Sequence, residues 1–130
     1  MLLIDVYGIP ESVLNLSDTM PEFESRNEHF RFHLQYAVNR FRSLGLSISE
    51  VIVTIHPKRY VPSYEVGVEQ IFIRVEGRVK DPAKGNALRK PLAKALARVV
   101  LKRFASHIRV ECKVNPFEED DGGFYTSWED

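Results

Sequence analysis

Two arginines in the second half of the chain are well suited to bind a small anion. Arg78 follows Gly77 at the end of an alternating apolar run, and Arg109 lies inside another such run. A guanidinium offers a planar fork of N–H donors that fits a carboxylate. These arginines could therefore bind a small carboxylate, or they could be structural, with Arg78 at a strand end and Arg109 in a salt bridge between subunits.

Two histidines have the spacing of metal ligands. His29 and His33 are four residues apart in a helical pattern, so both imidazoles could reach one ion. No third ligand is evident and arginines flank the pair, so we predict no metal site. The consecutive acids at residues 118–121 are interpreted as a solvated loop rather than as a cation site. We also predict no cofactor.

The two arginines belong to a strand, helix, strand pattern. Apolar and polar residues alternate over residues 70–76, which predicts a strand that Gly77 ends, and they alternate again over residues 108–114. Between these runs a 3.6-residue period predicts an amphipathic helix. One stripe of this helix consists of Leu88, Leu92, Ala95, Leu96, Val99, Val100 and Arg103. The order is typical of a βαβ unit, whose two strands run parallel in one sheet.

The first half shows the same order in a different sequence. Alternation over residues 2–7 predicts a strand that begins at the start of the chain, and alternation over residues 51–56 predicts another. Residues 11–28 show little periodicity, and we expect a long loop or lid there.

A helix is predicted between these two strands. The helical period extends over residues 25–44. Ser25 and Glu28 have the spacing of a capping box, and Gly45 is suited to end the helix. The first half is therefore a second βαβ unit.

The two units together predict an α+β fold. We expect them to form one four-stranded mixed sheet with two helices on one face. A single domain would cover residues 1–130, with the first unit at 1–56, the second at 68–114 and a C-terminal tail at 115–130. The aromatic residues of this tail are expected to pack on the core or on a neighbouring subunit; they are Phe124, Tyr125 and Trp128.

The sheet face without helices is too apolar to remain in water. By alternation it carries apolar and charged side chains together: Leu3, Tyr7, Ile52, Phe72, Arg74, Arg109 and Lys113. A mixed face of this kind predicts a partner subunit. The balance of Lys+Arg 18 against Asp+Glu 18, with 44% hydrophobic residues, also favours association. It argues against nucleic acid or an anionic membrane as a partner.

The start of the chain and its cysteine predict a cytoplasmic protein. Asp5 interrupts the apolar start, so no segment there is long enough for a signal peptide or a membrane span. Cys112 is the only cysteine and occupies an inward strand position. We expect it to be a small apolar filler that forms no internal disulfide.

The motifs of the second half resemble, in their order, those of the tautomerase superfamily. Residues 73–78 have the sequence Ile-Arg-Val-Glu-Gly-Arg, and Ile108-Arg109-Val110 and Gly122-Gly123-Phe124 follow the predicted helix. This order looks like the strand-Glu-Gly-Arg, helix, Val-Arg-Val and Gly-x-Phe run of 4-oxalocrotonate tautomerase. The arrangement of two units is closer to that of 5-carboxymethyl-2-hydroxymuconate isomerase. The resemblance covers residues 1–10 and 28–125, and it implies a macrophage migration inhibitory factor-like fold.

The resemblance implies a homotrimer with helices outside, and proton transfer at a carbon next to a carbonyl. In the family an amino-terminal proline is the general base and arginines hold the substrate carboxylate. By likeness of motif, Arg78 and Arg109 would bind the substrate and Phe124 would form an apolar pocket wall. This chain begins Met1-Leu2 and lacks the proline, so the base it offers at that place is the α-amine of Met1.

Two functions of different classes remain as alternatives. In the first, the protein is a tautomerase or isomerase that acts on a small keto or enol carboxylate, with Met1 or a water as base. In the second, it is a trimeric binding or interaction module of the same fold without catalysis. The first residue discriminates between them, because proton transfer needs a base there. A third alternative, an RNA-binding α+β domain, is opposed by the neutral net charge.

Overall fold

The computed structural model describes residues 1–9, 20–57, 70–103 and 108–120, without the side chains of residues 20–27 and 57. In chain order the helices and strands are β1 (Leu2–Ile9), α1 (Met20–Asn39), β2 (Val51–Pro57), β3 (Gln70–Val79), α2 (Pro82–Ala87), α3 (Arg89–Arg103), β4 (Arg109–Val114) and β5 (Glu118–Glu119). Two short 3₁₀ turns, Arg42–Leu44 and Ile48–Glu50, lead into β2.

The main sheet has the strand order β2-β1-β3-β4. Within each half the two strands are parallel, as β1 pairs with β2 and β3 with β4. The halves join where β1 and β3 pair antiparallel. This arrangement confirms the predicted four-stranded mixed sheet built from two βαβ units.

The core lies between the inner face of this sheet and the helices. Alternate strand residues such as Leu2, Ile4 and Ile73 are almost fully buried because the strand period of two directs them to one face. Both long helices bury residues spaced by four, which lie on one side of a helix. These residues are Phe30, Leu34 and Val38 in α1 and Leu92, Leu96 and Val100 in α3.

The opposite face of the sheet stays partly accessible in the protomer. Ile52 is 44% exposed there, and Tyr7 and Phe72 are only half-buried. The predicted contrast between a covered face and an open, mixed face is therefore present.

The first long helix does not have its predicted bounds. It begins at Met20, so Ser25 and Glu28 lie within the helix and the predicted capping box is wrong. It ends at Asn39, whose Nδ2 donates to the carbonyl oxygen of Leu46 at 3.0 Å and holds the chain as it turns back towards β2. Gly45 has φ 66° and ends the following 3₁₀ turn rather than the helix.

A capping box is present farther along the chain. Ser47 precedes the second 3₁₀ turn, its backbone nitrogen donates to Glu50 Oε1 at 3.3 Å, and its hydroxyl donates to the same oxygen at 3.0 Å. The motif thus caps the turn that leads into β2.

The helix of the second half is divided at Leu88 into α2 and α3. Proline has no backbone N–H, so Pro91 cannot donate to the carbonyl oxygen of Ala87, which is where α2 ends. Asp81 caps α2, since its Oδ1 accepts a hydrogen bond from the backbone nitrogen of Lys84 at 3.3 Å.

Strand β3 is longer than predicted, because Gly77 does not end it. Gly77 occupies an inward position opposite Leu2, where β1 approaches closely. A Cβ at this position would lie 2.8 Å from the Cα of Leu2 and would also meet the carbonyl oxygen of Met1. The glycine therefore serves close strand pairing rather than a turn.

The segment after β4 returns to the sheet. Phe117 is 4% exposed, and its backbone nitrogen donates to Asn86 Oδ1 at 2.8 Å. β5 then pairs parallel with the end of β3. The sequence did not predict this short strand, and the predicted packing of Phe124, Tyr125 and Trp128 lies outside the described residues.

Among the residues that the structure describes, no helix is both long enough and apolar enough to cross a membrane.

The buried stripe of α3 gives a direct test of the fold. Leu96 is 0% exposed, whereas Leu101 in the same helix is 41% exposed. Leu96→Ala should lower the free energy of unfolding by about 2–5 kcal/mol through lost burial and a residual cavity. Leu101→Ala should change it by less than about 0.5 kcal/mol. Urea unfolding followed by circular dichroism measures both, and equal losses would contradict the assigned helix face.

Candidate functional site

A pocket of about 400 Å³ lies where β1 begins and β3 ends. This volume is within the usual range of small-molecule sites, about 300–1,000 Å³. Its described walls come from β1, β3 and the segment that links β4 to β5. They are Met1, Leu3, Glu76, Gly77, Arg78, Asn115, Pro116, Glu118 and Asp120.

The backbone of Met1 is fixed in this pocket by two hydrogen bonds to Arg78. The α-amine of Met1 donates to the carbonyl oxygen of Arg78 at 3.1 Å. The backbone nitrogen of Arg78 in turn donates to the carbonyl oxygen of Met1 at 2.9 Å. The antiparallel pairing of β1 and β3 thus places the amine in the pocket wall.

The guanidinium of Arg78 has a carboxylate partner beside the pocket. Its Nη2 lies 3.6 Å from Glu118 Oε2. The two residues are direct neighbours in the parallel pairing of β3 and β5. The ion pair therefore follows from the path of the chain after β4, which no local sequence motif shows.

Arg109 lies at the other end of the protomer's sheet. It pairs with Gln70 in the register of β3 and β4. Gln70 is seven residues before Gly77 in β3, and an extended strand of that length spans about 23 Å. Within one protomer Arg109 does not line the described pocket, and its guanidinium pairs with Glu111 at 2.9 Å.

The pocket therefore contains two of the four predicted site residues, Met1 and Arg78. Arg109 is apart from them in the protomer. Phe124 lies outside the described residues. Sequence reasoning missed Glu118 and Asp120 as pocket residues, because it interpreted the acidic run as a solvated loop and gave it no partner strand.

A second polar cluster lies on the open face of the sheet. Asp5 Oδ1 is 2.9 Å from His56 Nε2, and Asp5 Oδ2 is 3.6 Å from Arg74 Nη2. Tyr7 stacks on the His56 ring at 4.3 Å, and Arg74 donates to the hydroxyl of Tyr7 at 3.3 Å. The strand register places Asp5 directly opposite Arg74.

The other candidate residues, His29, His33 and Cys112, form no further candidate site in the part of the chain that the structure describes. The rings of His29 and His33 are 6.1 Å apart, and no group of three possible metal ligands is present among these residues. Burial raises the pKa of the Cys112 thiol to about 12. This thiol therefore stays protonated at neutral pH and packs as an apolar group.

Comparisons with known proteins give matches by structure only. No protein-family model and no curated protein matches the sequence. The chain is similar to a macrophage migration inhibitory factor-like protein from Entamoeba histolytica, with a TM-score of 0.54, 13% identity and coverage of 96% of this chain and 93% of that chain. It is also similar to a DUF1904 domain of unknown function from Sebaldella termitidis, with a TM-score of 0.55, 14% identity and coverage of 98% and 96%.

A third similar structure is a fused 4-OT protein described as a wild-type asymmetric trimer. Its TM-score is 0.50 at 17% identity, and the match covers 96% of this chain and 92% of that chain. At these identities the likeness is one of fold, and it assigns no particular activity.

The close approach of β1 to β3 at Gly77 positions Met1 against Arg78, and it can be tested by mutation. Gly77→Ala should lower the free energy of unfolding by about 1–3 kcal/mol, since the added methyl group would push against the backbone of β1. Glu76→Ala, on the neighbouring outward position, is the control and should cost less than about 0.5 kcal/mol. Urea titrations of both variants are the measurement. An unchanged Gly77→Ala protein would show that β1 does not lie this close.

Proposed function

The chain has the tautomerase/macrophage migration inhibitory factor-like fold that its motifs predicted, and on that premise we propose a function for its pocket. The protein binds a small keto or enol compound beside Met1 and Arg78 and transfers a proton at the carbon next to the carbonyl. The observation that carries this proposal is the meeting, in one pocket, of an α-amine and a guanidinium.

The α-amine of Met1 would be the proton acceptor and donor. When it is neutral, one N–H can remain bonded to the carbonyl oxygen of Arg78, while the lone pair takes a proton from the substrate carbon. The same amine would return that proton to the enolate oxygen, and in the reverse direction it would move the hydroxyl proton of an enol to the carbon, so the reaction is an isomerisation without net loss of atoms.

Arg78 would hold negative charge on the substrate. Its guanidinium could pair with a carboxylate or with the enolate oxygen that forms as the proton leaves. Leu3 and Pro116 supply apolar surface in the same pocket. Such a wall favours a small substrate with an apolar part.

Assembly with further copies of the chain would bring Arg109 close to a pocket. The open sheet face carries apolar groups beside both signs of charge, which suits contact with another copy. We propose a homotrimer, in which Arg109 of one copy would approach the pocket of its neighbour. The trimeric fused 4-OT structure supports assembly of this fold.

A non-catalytic binding module is the second candidate function. Met1 lines the pocket, so the residue that carries the proposed base also carries a long side chain. Glu118 also pairs with the proposed substrate arginine. Both observations are compatible with ligand binding without turnover, so the activity measurement decides between the two candidates.

Ketonisation of phenylenolpyruvate, followed by ultraviolet absorbance at high protein concentration, tests the catalytic proposal. The protein should accelerate the reaction, and Arg78→Gln should reduce kcat/KM at least about tenfold, because a charged hydrogen bond to the substrate is lost. Arg98→Gln, on the exposed side of α3, is the matched control and should leave the rate unchanged. Absence of turnover, also with 2-hydroxymuconate, would eliminate catalysis on these compounds and leave the binding module.

Arg109→Ala separates a pocket role from an interface role. A pocket role predicts that kcat/KM falls at least about tenfold while the sedimentation coefficient stays that of the wild-type assembly. An interface role predicts that the assembly dissociates. Activity and analytical ultracentrifugation should be measured on the same samples, and loss of assembly alone would refute the pocket role.

A further inference from the structure

We propose that Glu118 is a specificity-determining residue of this pocket. By pairing with Arg78 it competes with a ligand carboxylate, and it shifts the preference of the pocket towards uncharged or cationic ligands. This inference rests on the proposed function only in taking the pocket around Met1 and Arg78 as the ligand site. It departs from the carboxylate substrate that the sequence resemblance implied.

Glu118 is held beside Arg78 by the backbone. Its strand, β5, pairs with β3 in a register that places Glu118 next to Arg78. On the C-terminal side, the backbone nitrogen of Asp120 donates to the carbonyl oxygen of Val79 at 3.0 Å. On the N-terminal side, Phe117 is buried in the core. The backbone therefore holds the Glu118 carboxylate close to Arg78.

The charges of the described pocket walls give a net excess of acids. Three acidic residues, Glu76, Glu118 and Asp120, line the same pocket as one arginine, Arg78, and the N-terminal Met1. A ligand carboxylate would therefore enter a negative potential and meet an arginine that already has a partner.

The expected change in ligand affinity follows from how exposed the ion pair between Arg78 and Glu118 is. The side chain of Arg78 is 39% exposed and that of Glu118 is 74% exposed. Exposed ion pairs of this kind change an equilibrium by about two- to fivefold. Glu118 should thus tune the charge preference of the pocket rather than exclude anions absolutely.

Two probes that share a phenylalkyl body and carry head groups of opposite charge test the inference. The probes are 3-phenylpropionate, an anion, and 3-phenylpropylamine, a cation, and their phenyl group suits the apolar wall formed by Leu3 and Pro116. Affinities are measured by ligand-observed NMR titration of the full chain. Glu118→Gln should bind the anion about two- to fivefold more tightly and the cation more weakly by a similar factor.

Glu119→Gln is the matched control, because it removes the same charge one residue along β5, where the side chain is exposed and is not among the described pocket walls. It should leave both affinities unchanged. Equal shifts in the two variants would overturn the inference, because the effect would then be one of general charge. A Glu118→Gln protein with unchanged affinities for both probes would also overturn the inference. Either result would leave the proposed function in place, whereas failure of both probes to bind any variant would remove the inference and the proposed ligand site together.

Discussion

The antiparallel pairing of β1 with β3 is the interaction on which the rest of this structure depends. It joins two βαβ units that each contain only a parallel pair of strands. The pairing continues to the first residue because Gly77 leaves room for the backbone of Met1 and Leu2. A side chain at this position would separate the strands where the pocket lies. Sheet continuity and the position of the candidate base therefore have one cause.

The pocket combines features that favour different ligands. An amine and a guanidinium are present, as proton transfer on a carboxylate substrate would require. The segment that returns from β4 brings acids into the same walls, and one of them pairs with the arginine. A pocket of this composition would bind a highly charged anion poorly. The pocket therefore has the size of a small-molecule site, and we propose that the acids of β5 and its flanks set the charge that it accepts.

The open face of the sheet carries a connected cluster of polar side chains. Asp5 joins His56 and Arg74 across three strands, and Tyr7 stacks against the same histidine. These contacts give Asp5 and Arg74 partners within the protomer and leave apolar surface, such as that of Ile52, available. A face with paired charges and exposed apolar groups can associate without leaving single charges buried. It is the surface through which we propose that copies of the chain assemble.

The sequence by itself determined the strand and helix types, their order and the covered face of the sheet, because the periods of two and 3.6 depend on local geometry alone. It also indicated Arg78. The helix ends depended on particular residues. Examples are the hydrogen bond from Asn39 Nδ2 to the carbonyl oxygen of Leu46 and the absence of a backbone N–H at Pro91. Only the tertiary structure decided that Arg78 meets Met1 and Glu118, whereas Arg109 lies at the far end of the sheet. The reason is that strand register joins residues far apart in sequence, and no local pattern records which strands will pair.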